Sequence, residues 1–62
     1  MPKGEIIFEI IQLGAYLKVS AIDPITMVEV SVMGPANGAL EAIKATAARK
    51  LQRALETGRG VR

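Results

Sequence analysis

The sequence contains neither cysteine nor histidine. Without cysteine there is no disulfide framework and no thiolate metal site, and without histidine the imidazole ligand and the commonest general base are missing. Small domains usually gain stability from disulfides, metals or oligomerisation, and only oligomerisation is left here. The composition therefore predicts a protein that is not an enzyme and that holds no cofactor or metal.

Aromatic residues and long apolar runs are also scarce. Phe8 and Tyr16 are the only aromatic residues although half of the 62 residues are hydrophobic, so the core must consist mainly of aliphatic side chains. The run Ile6-Ile7-Phe8 is followed at once by Glu9 and falls far short of the roughly 20 residues that a membrane-spanning helix needs. The amino terminus lacks the features of a signal peptide. We expect one small globular domain in the cytoplasm, without membrane contact.

The sequence predicts three β-strands, the second and third of them from alternation of apolar and polar side chains. The first spans residues 5–13, which are rich in β-branched side chains. The second spans residues 15–23 and follows a tight turn at Gly14-Ala15. The third spans residues 27–33 and follows a turn at Asp23-Pro24-Ile25-Thr26, where Asp and Pro both favour a turn. Three consecutive strands with short connections predict an antiparallel meander.

Residues 39–57 are rich in good helix formers and follow a strand-breaking segment at residues 34–38. Asn37 is the predicted N-cap and Gly58 the predicted C-cap, and the tail 58–62 is expected to be flexible. At about 100° per residue, five apolar side chains of this helix share one narrow stripe: Leu40, Ile43, Ala47, Leu51 and Ala54. The sequence therefore predicts a single α+β domain over residues 1–62, of β-β-β-α order, with the amphipathic helix packed on one face of the sheet.

The first strand differs from the other two because both of its faces are apolar. Ile6, Phe8 and Ile10 lie on one side, and Ile7, Ile11 and Leu13 lie on the other. One helix cannot cover both sides, and a meander leaves this strand at an edge, where it can pair with another chain. We expect a homodimer, with Ile7, Ile11 and Leu13 at its interface. Edge-strand pairing, face packing and an exchanged helix with a hinge at residues 34–38 all remain open, and the alternative is a monomer with a few exposed isoleucines.

Positive charge is concentrated in the last third of the chain. The formal net charge is +2, yet residues 44–62 contain six basic residues and Glu56 as their only acidic residue. Five of the basic residues are candidates for contact with an anion or a nucleic acid: Lys44, Arg49, Lys50, Arg53 and Arg59. Basic residues toward the end of a helix also complement its dipole and aid solubility, which is the favoured explanation.

Carboxylates and hydroxyls supply no convincing catalytic group. Glu5 and Glu9 lie four residues apart on a predicted strand, but they are better explained as residues that keep the outer face soluble. Ser20 and Ser31 have no base nearby and are expected to face solvent. The sequence thus predicts no catalytic residue. It favours an interaction module that binds itself and another, unidentified protein, with weak, sequence-nonspecific nucleic-acid binding through the basic helix as the alternative.

Four segments resemble a family of short uncharacterised β-β-β-α proteins of bacteria, mainly of alphaproteobacteria. They are Gly14-Ala15-Tyr16-Leu17-Lys18-Val19-Ser20-Ala21-Ile22-Asp23, Glu29-Val30-Ser31-Val32, Gly34-Pro35-Ala36 and Arg49-Lys50-Leu51. The resemblance covers most of the chain, and its motifs are structural. In that family a Gly often follows the Thr of the second turn, whereas Met27 follows Thr26 here, which implies a different turn type. The family has no established activity, so the resemblance implies no functional residue.

Overall fold

The structure, a computed structural model, describes residues 5–57. Its elements are three strands and one helix: β1 (Ile7–Leu13), β2 (Tyr16–Ile22), β3 (Glu29–Pro35) and α1 (Leu40–Thr57). The strands form one antiparallel sheet in the order β1-β2-β3, and α1 packs on one face of it, mainly over β2 and β3. The predicted β-β-β-α architecture is confirmed.

The turn between β1 and β2 consists of two residues, Gly14 and Ala15. Gly14 has a φ of +61°, whereas Ala15 is not among the described residues with positive φ. Positive φ at the first turn position alone is the pattern of a type II′ turn, whose twist matches that of the flanking strands. Glycine is required at this position because it adopts positive φ without steric cost.

The turn between β2 and β3 is organised by Asp23. The Asp23 carboxylate accepts hydrogen bonds from the Thr26 hydroxyl at 2.7 Å and from the Ile25 amide at 3.4 Å. The Asp23 carbonyl accepts a bond from the Met27 amide at 2.7 Å, and Met27 has a φ of +66°. Because left-handed backbone cannot continue a strand, β3 starts at Glu29, and the predicted start at residue 27 is wrong.

The far end of β3 also differs from the prediction, since Gly34 and Pro35 do not break the strand. They lie opposite Leu17 and Tyr16 of β2. Proline is tolerated because β3 is an edge strand. A Cβ atom at Gly34 would lie 2.6 Å from Ile43 Cδ1, so glycine at this position lets α1 approach the sheet closely. The predicted end of the strand at residue 33 is therefore too early.

The N-cap of the helix lies two residues after the predicted one. The Ala39 carbonyl accepts bonds from the amides of Ala42 at 3.1 Å and Ile43 at 3.2 Å, so Ala39 occupies the N-cap position. The prediction of Asn37 as the N-cap is wrong, because Asn37 belongs to the turn that follows β3. The predicted C-cap at Gly58 and the predicted flexible tail lie outside the described residues.

The core lies between α1 and the middle of the sheet. Five apolar side chains are buried: Val19, Ala21, Val28, Ala47 and Leu51. Seven more pack against them while keeping some exposure: Phe8, Leu17, Val30, Val32, Leu40, Ile43 and Ala54. The predicted apolar stripe of the helix is thus the stripe that packs on the sheet. The largest fully buried side chains are those of Leu51 and Val19.

Candidate interaction surface

In the described part of the chain, the sheet has one face under the helix and one open face. Ile7, Ile11 and Leu13, the predicted interface residues, all project from the open face, as their cross-strand partners show. Each residue is about half exposed, at 48%, 48% and 50% respectively. Tyr16 and Met33 share this face and are more exposed still. The open face is therefore largely apolar, with Glu9, Lys18 and Glu29 as its charged residues.

Sequence reasoning missed Tyr16 and Met33 as members of this surface. The signal that could have found them is the pairing itself, because Leu13 lies opposite Tyr16, and Met33 lies opposite Lys18. Side chains at opposed positions of neighbouring strands point to the same face of the sheet.

The helix side of β1 is also incompletely covered. Since α1 lies over β2 and β3, only Phe8 of this side packs against the core. Ile10 is 44% exposed and Ile6 is exposed as well. β1 therefore presents apolar side chains to solvent on both faces, as its sequence predicted.

The backbone of β1 points alternately toward β2 and toward the free edge. The Asp23 amide bonds to the Val28 carbonyl at 2.9 Å, and the Ala36 amide bonds to the Ala15 carbonyl at 2.8 Å. In an antiparallel ladder bonded pairs alternate with non-bonded pairs, so the even-numbered residues of β2 bond to β1. The register then leaves three β1 residues whose N–H and C=O groups face the free edge: Phe8, Ile10 and Gln12.

The free edge of β3 is partly occupied instead. The Lys50 ammonium donates a hydrogen bond of 3.0 Å to the outward-facing carbonyl of Ser31. Pro35, at the end of the same edge, carries no amide hydrogen at all. Within residues 5–57 we find no side chain bonded in this way to the edge of β1. The two edges of the sheet therefore differ in how open they are to another strand.

Ser20 and Ser31 lie opposite each other on the open face, and their hydroxyl oxygens are 3.1 Å apart, within hydrogen-bond distance. Ser20 is only 3% exposed, so the expectation that it faces solvent is wrong. Its strand is the middle one, and neighbours on both sides shield a short side chain. The hydrogen bond between the two hydroxyls gives the buried Ser20 side chain a polar partner.

The four candidate anion-binding residues in the described part of the chain do not all lie on one side of the helix. Lys44 lies over the Phe8 ring, 5.0 Å from its centroid, and 3.8 Å from the Glu41 carboxylate. Lys50 reaches across the other flank of the helix to β3. Arg49 and Arg53 are exposed and lie one turn apart on the side of the helix away from the core. Arg59 lies outside the described residues.

An apolar groove of about 510 Å³ lies at one end of the molecule, between the second half of α1 and the Asp23 turn. It is lined by Ile6, Asp23, Ile25, Thr26, Leu51, Gln52 and Leu55. Over residues 5–57 no group of acidic side chains could hold a metal ion. No helix in the described part of the chain is long and apolar enough to cross a membrane.

Comparison with known proteins identifies a family whose function is unknown. No curated protein and no solved structure is significantly similar to the chain. A family model described as a domain of unknown function, DUF6898, matches residues 3–58. This match confirms the expected membership in an uncharacterised family, while a bacterial origin stays a prediction. Since the match spans nearly the whole sequence, the chain belongs to the DUF6898 family.

Proposed function

We propose that this protein is a small non-enzymatic homodimeric interaction module whose contact surface is β1. The observation that carries the proposal is the difference between the two sheet edges. β3 has its outward carbonyl at Ser31 bonded to Lys50, whereas β1 offers the backbone groups of Phe8, Ile10 and Gln12 between two partly exposed apolar faces. An open, apolar edge strand is a template for pairing with another chain.

The energetics favour an interface that combines backbone and side-chain contacts. Fully burying an aliphatic side chain is worth about 1.5–3 kcal/mol, and those of β1 have roughly half of their exposure left to lose. Association itself costs about 4–15 kcal/mol because two chains lose translational and rotational freedom. Burial of Ile7, Ile11 and Leu13 alone is therefore marginal, and edge hydrogen bonds supply the direction and part of the affinity.

Sedimentation equilibrium over a wide concentration range tests the proposal. The wild type should have the mass of two chains at high concentration. Ile11→Glu places a charge in the middle of the open face of β1 and should weaken association at least tenfold. Ile25→Glu is the matched control, because Ile25 is 70% exposed and lies in the β2–β3 turn. A wild type that stays monomeric at the highest concentration, or two variants that behave alike, would sink the proposal.

The alternative function is weak, sequence-nonspecific nucleic-acid binding. It is supported by the side-by-side exposure of Arg49 and Arg53 on the outer side of α1. Two cations give a small footprint, so this proposal ranks second. Titration of a labelled random-sequence duplex should show affinity that falls steeply with salt and is lost in the Arg49→Gln/Arg53→Gln double variant. Binding that is absent at low salt, or unaffected by this double substitution, would exclude this use of the helix.

A further inference from the structure

We infer that β1 pairs antiparallel with β1 of a second copy in one register, in which Ile10 lies opposite Ile10 of the partner subunit. This inference rests on the proposed homodimer and specifies how it is built. The occupant of the open edge is a second copy because the sequence of β1 complements itself in this register, as the backbone hydrogen bonds and the charges both indicate.

The backbone favours this register because all outward-facing groups of β1 find partners. Phe8 lies opposite Gln12 of the partner subunit, Ile10 opposite its own counterpart, and Gln12 opposite Phe8 of the partner subunit. These are the residues whose N–H and C=O groups face the free edge. Each such pair exchanges two hydrogen bonds in an antiparallel ladder. The strands also overlap over their whole length, from Ile7 to Leu13.

The register displaced by one step toward the amino terminus is disfavoured by charge. It would place Glu9 directly opposite Glu9 of the partner subunit. That position is a non-bonded pair, in which opposed Cα atoms approach to about 4.5 Å and side chains are closest. Like charges directly opposite each other destabilise a sheet. In the Ile10 register, Glu9 lies opposite Ile11 of the partner subunit, and the two carboxylates are kept apart.

The register displaced by one step toward the carboxyl terminus loses hydrogen bonds. It would place Ile11 opposite its own counterpart and Phe8 opposite Gly14 of the partner subunit. Gly14 lies in the hairpin turn with a φ of +61° and is no longer strand. One bonded pair is therefore lost, because a left-handed turn residue does not present its backbone in the ladder geometry.

The resulting dimer is a continuous six-stranded sheet with both helices on one side, since opposed residues of an antiparallel pair point to the same face. Its outer edges are the two β3 strands, whose Ser31 carbonyls are bonded to Lys50. Growth by further edge pairing is thereby discouraged, so the assembly closes at two copies. Lys50 thus limits further assembly at the β3 edge, whereas the sequence analysis named it as a candidate anion contact.

Single-cysteine variants test the register, because the chain contains no cysteine of its own. Ile10→Cys, Glu9→Cys and Ile11→Cys are oxidised under identical conditions and resolved on a non-reducing gel. Only Ile10→Cys places two thiols directly opposite each other, at a Cα separation of about 5.5 Å that a disulfide spans. Cross-linking should be at least tenfold faster for Ile10→Cys than for the other two variants.

Fastest cross-linking at Glu9→Cys or Ile11→Cys would overturn the register. Lack of cross-linking in all three, with a wild type that sediments as a dimer, would overturn edge pairing and leave face packing or helix exchange. A monomeric wild type would instead remove the proposed function itself. A second measurement compares Ile10→Pro with Ile10→Thr by sedimentation, since both shorten the side chain and only proline removes the outward amide hydrogen. The proline variant should be the weaker dimer, and equal association of the two would contradict the backbone bonds.

Discussion

Lys50 Nζ lies 3.0 Å from the carbonyl oxygen of Ser31, so a side chain of the helix occupies an acceptor at the edge of the sheet. The two residues are 19 positions apart and meet only because α1 packs over β3. A lysine at a strand edge opposes pairing with other chains, since its ammonium occupies the acceptor and stays hydrated. Within residues 5–57, the sheet therefore has a protected edge at β3 and an open edge at β1.

The first prediction concerns this contact. Lys50→Met keeps the methylene packing and removes the donor to Ser31, so association beyond the dimer should appear in sedimentation velocity. The free energy of unfolding should fall by about 1 kcal/mol or less, because the contact is exposed. Arg49→Met loses the same charge on the outer side of the helix and serves as the control. Identical mass distributions for the two variants would contradict the protective role of Lys50.

The second prediction concerns the approach of α1 to β3 at Gly34. An alanine in a strand usually stabilises relative to glycine, but here its Cβ would meet Ile43 Cδ1 at 2.6 Å. Gly34→Ala should lower the free energy of unfolding by about 1–3 kcal/mol through overpacking. In an Ile43→Ala background the same substitution should cost much less, which a double-mutant cycle by urea unfolding measures. Equal costs in both backgrounds would show that Ile43 is not the obstacle.

The third prediction compares two leucines of the same helix. Leu51 is fully buried, whereas Leu55 lies at the margin of the groove and is exposed. Leu51→Ala should lower the free energy of unfolding by about 2–5 kcal/mol, a large fraction of the stability of so small a domain. Leu55→Ala should cost about 1 kcal/mol or less. Thermal unfolding followed by circular dichroism checks both, and similar losses would contradict the packing of α1 described above.

The fourth prediction concerns the left-handed backbone at Met27. Its side chain is 71% exposed and contributes little packing, while its φ of +66° is unfavourable for any residue with a Cβ. Met27→Gly should raise the free energy of unfolding by about 0.5–1 kcal/mol after the entropy cost of glycine is subtracted. Ile25→Gly, at a similarly exposed position without positive φ, should lower it. A Met27→Gly variant with a lower free energy of unfolding than the wild type would contradict backbone strain at Met27.

Some features of the fold followed from local sequence patterns alone. The alternation in β2, the Gly14 turn and the apolar stripe of α1 depend on side chains that are neighbours in sequence, and each predicted its element. The two ends of β3 did not follow from local patterns. The hydrogen bonds of the Asp23 turn set the φ of Met27, which delays the start of the strand. Pairing of Pro35 with Tyr16 extends its end. The prediction of Asn37 as the N-cap was wrong because the residue type that suits a cap does not fix where the preceding turn ends.

The sequence by itself determined the order of the elements, the apolar nature of β1 on both faces and the absence of cysteine and histidine chemistry, because these depend on composition and on periods of two and 3.6 residues. Only the tertiary structure decided which edge of the sheet is open. The orientation of each backbone amide depends on the register of strands paired at a distance, and Lys50 reaches Ser31 only through the way α1 crosses β3. Burial of Ser20 and the contact of Lys44 with Phe8 were decided in the same way, since both depend on neighbours that packing brings together.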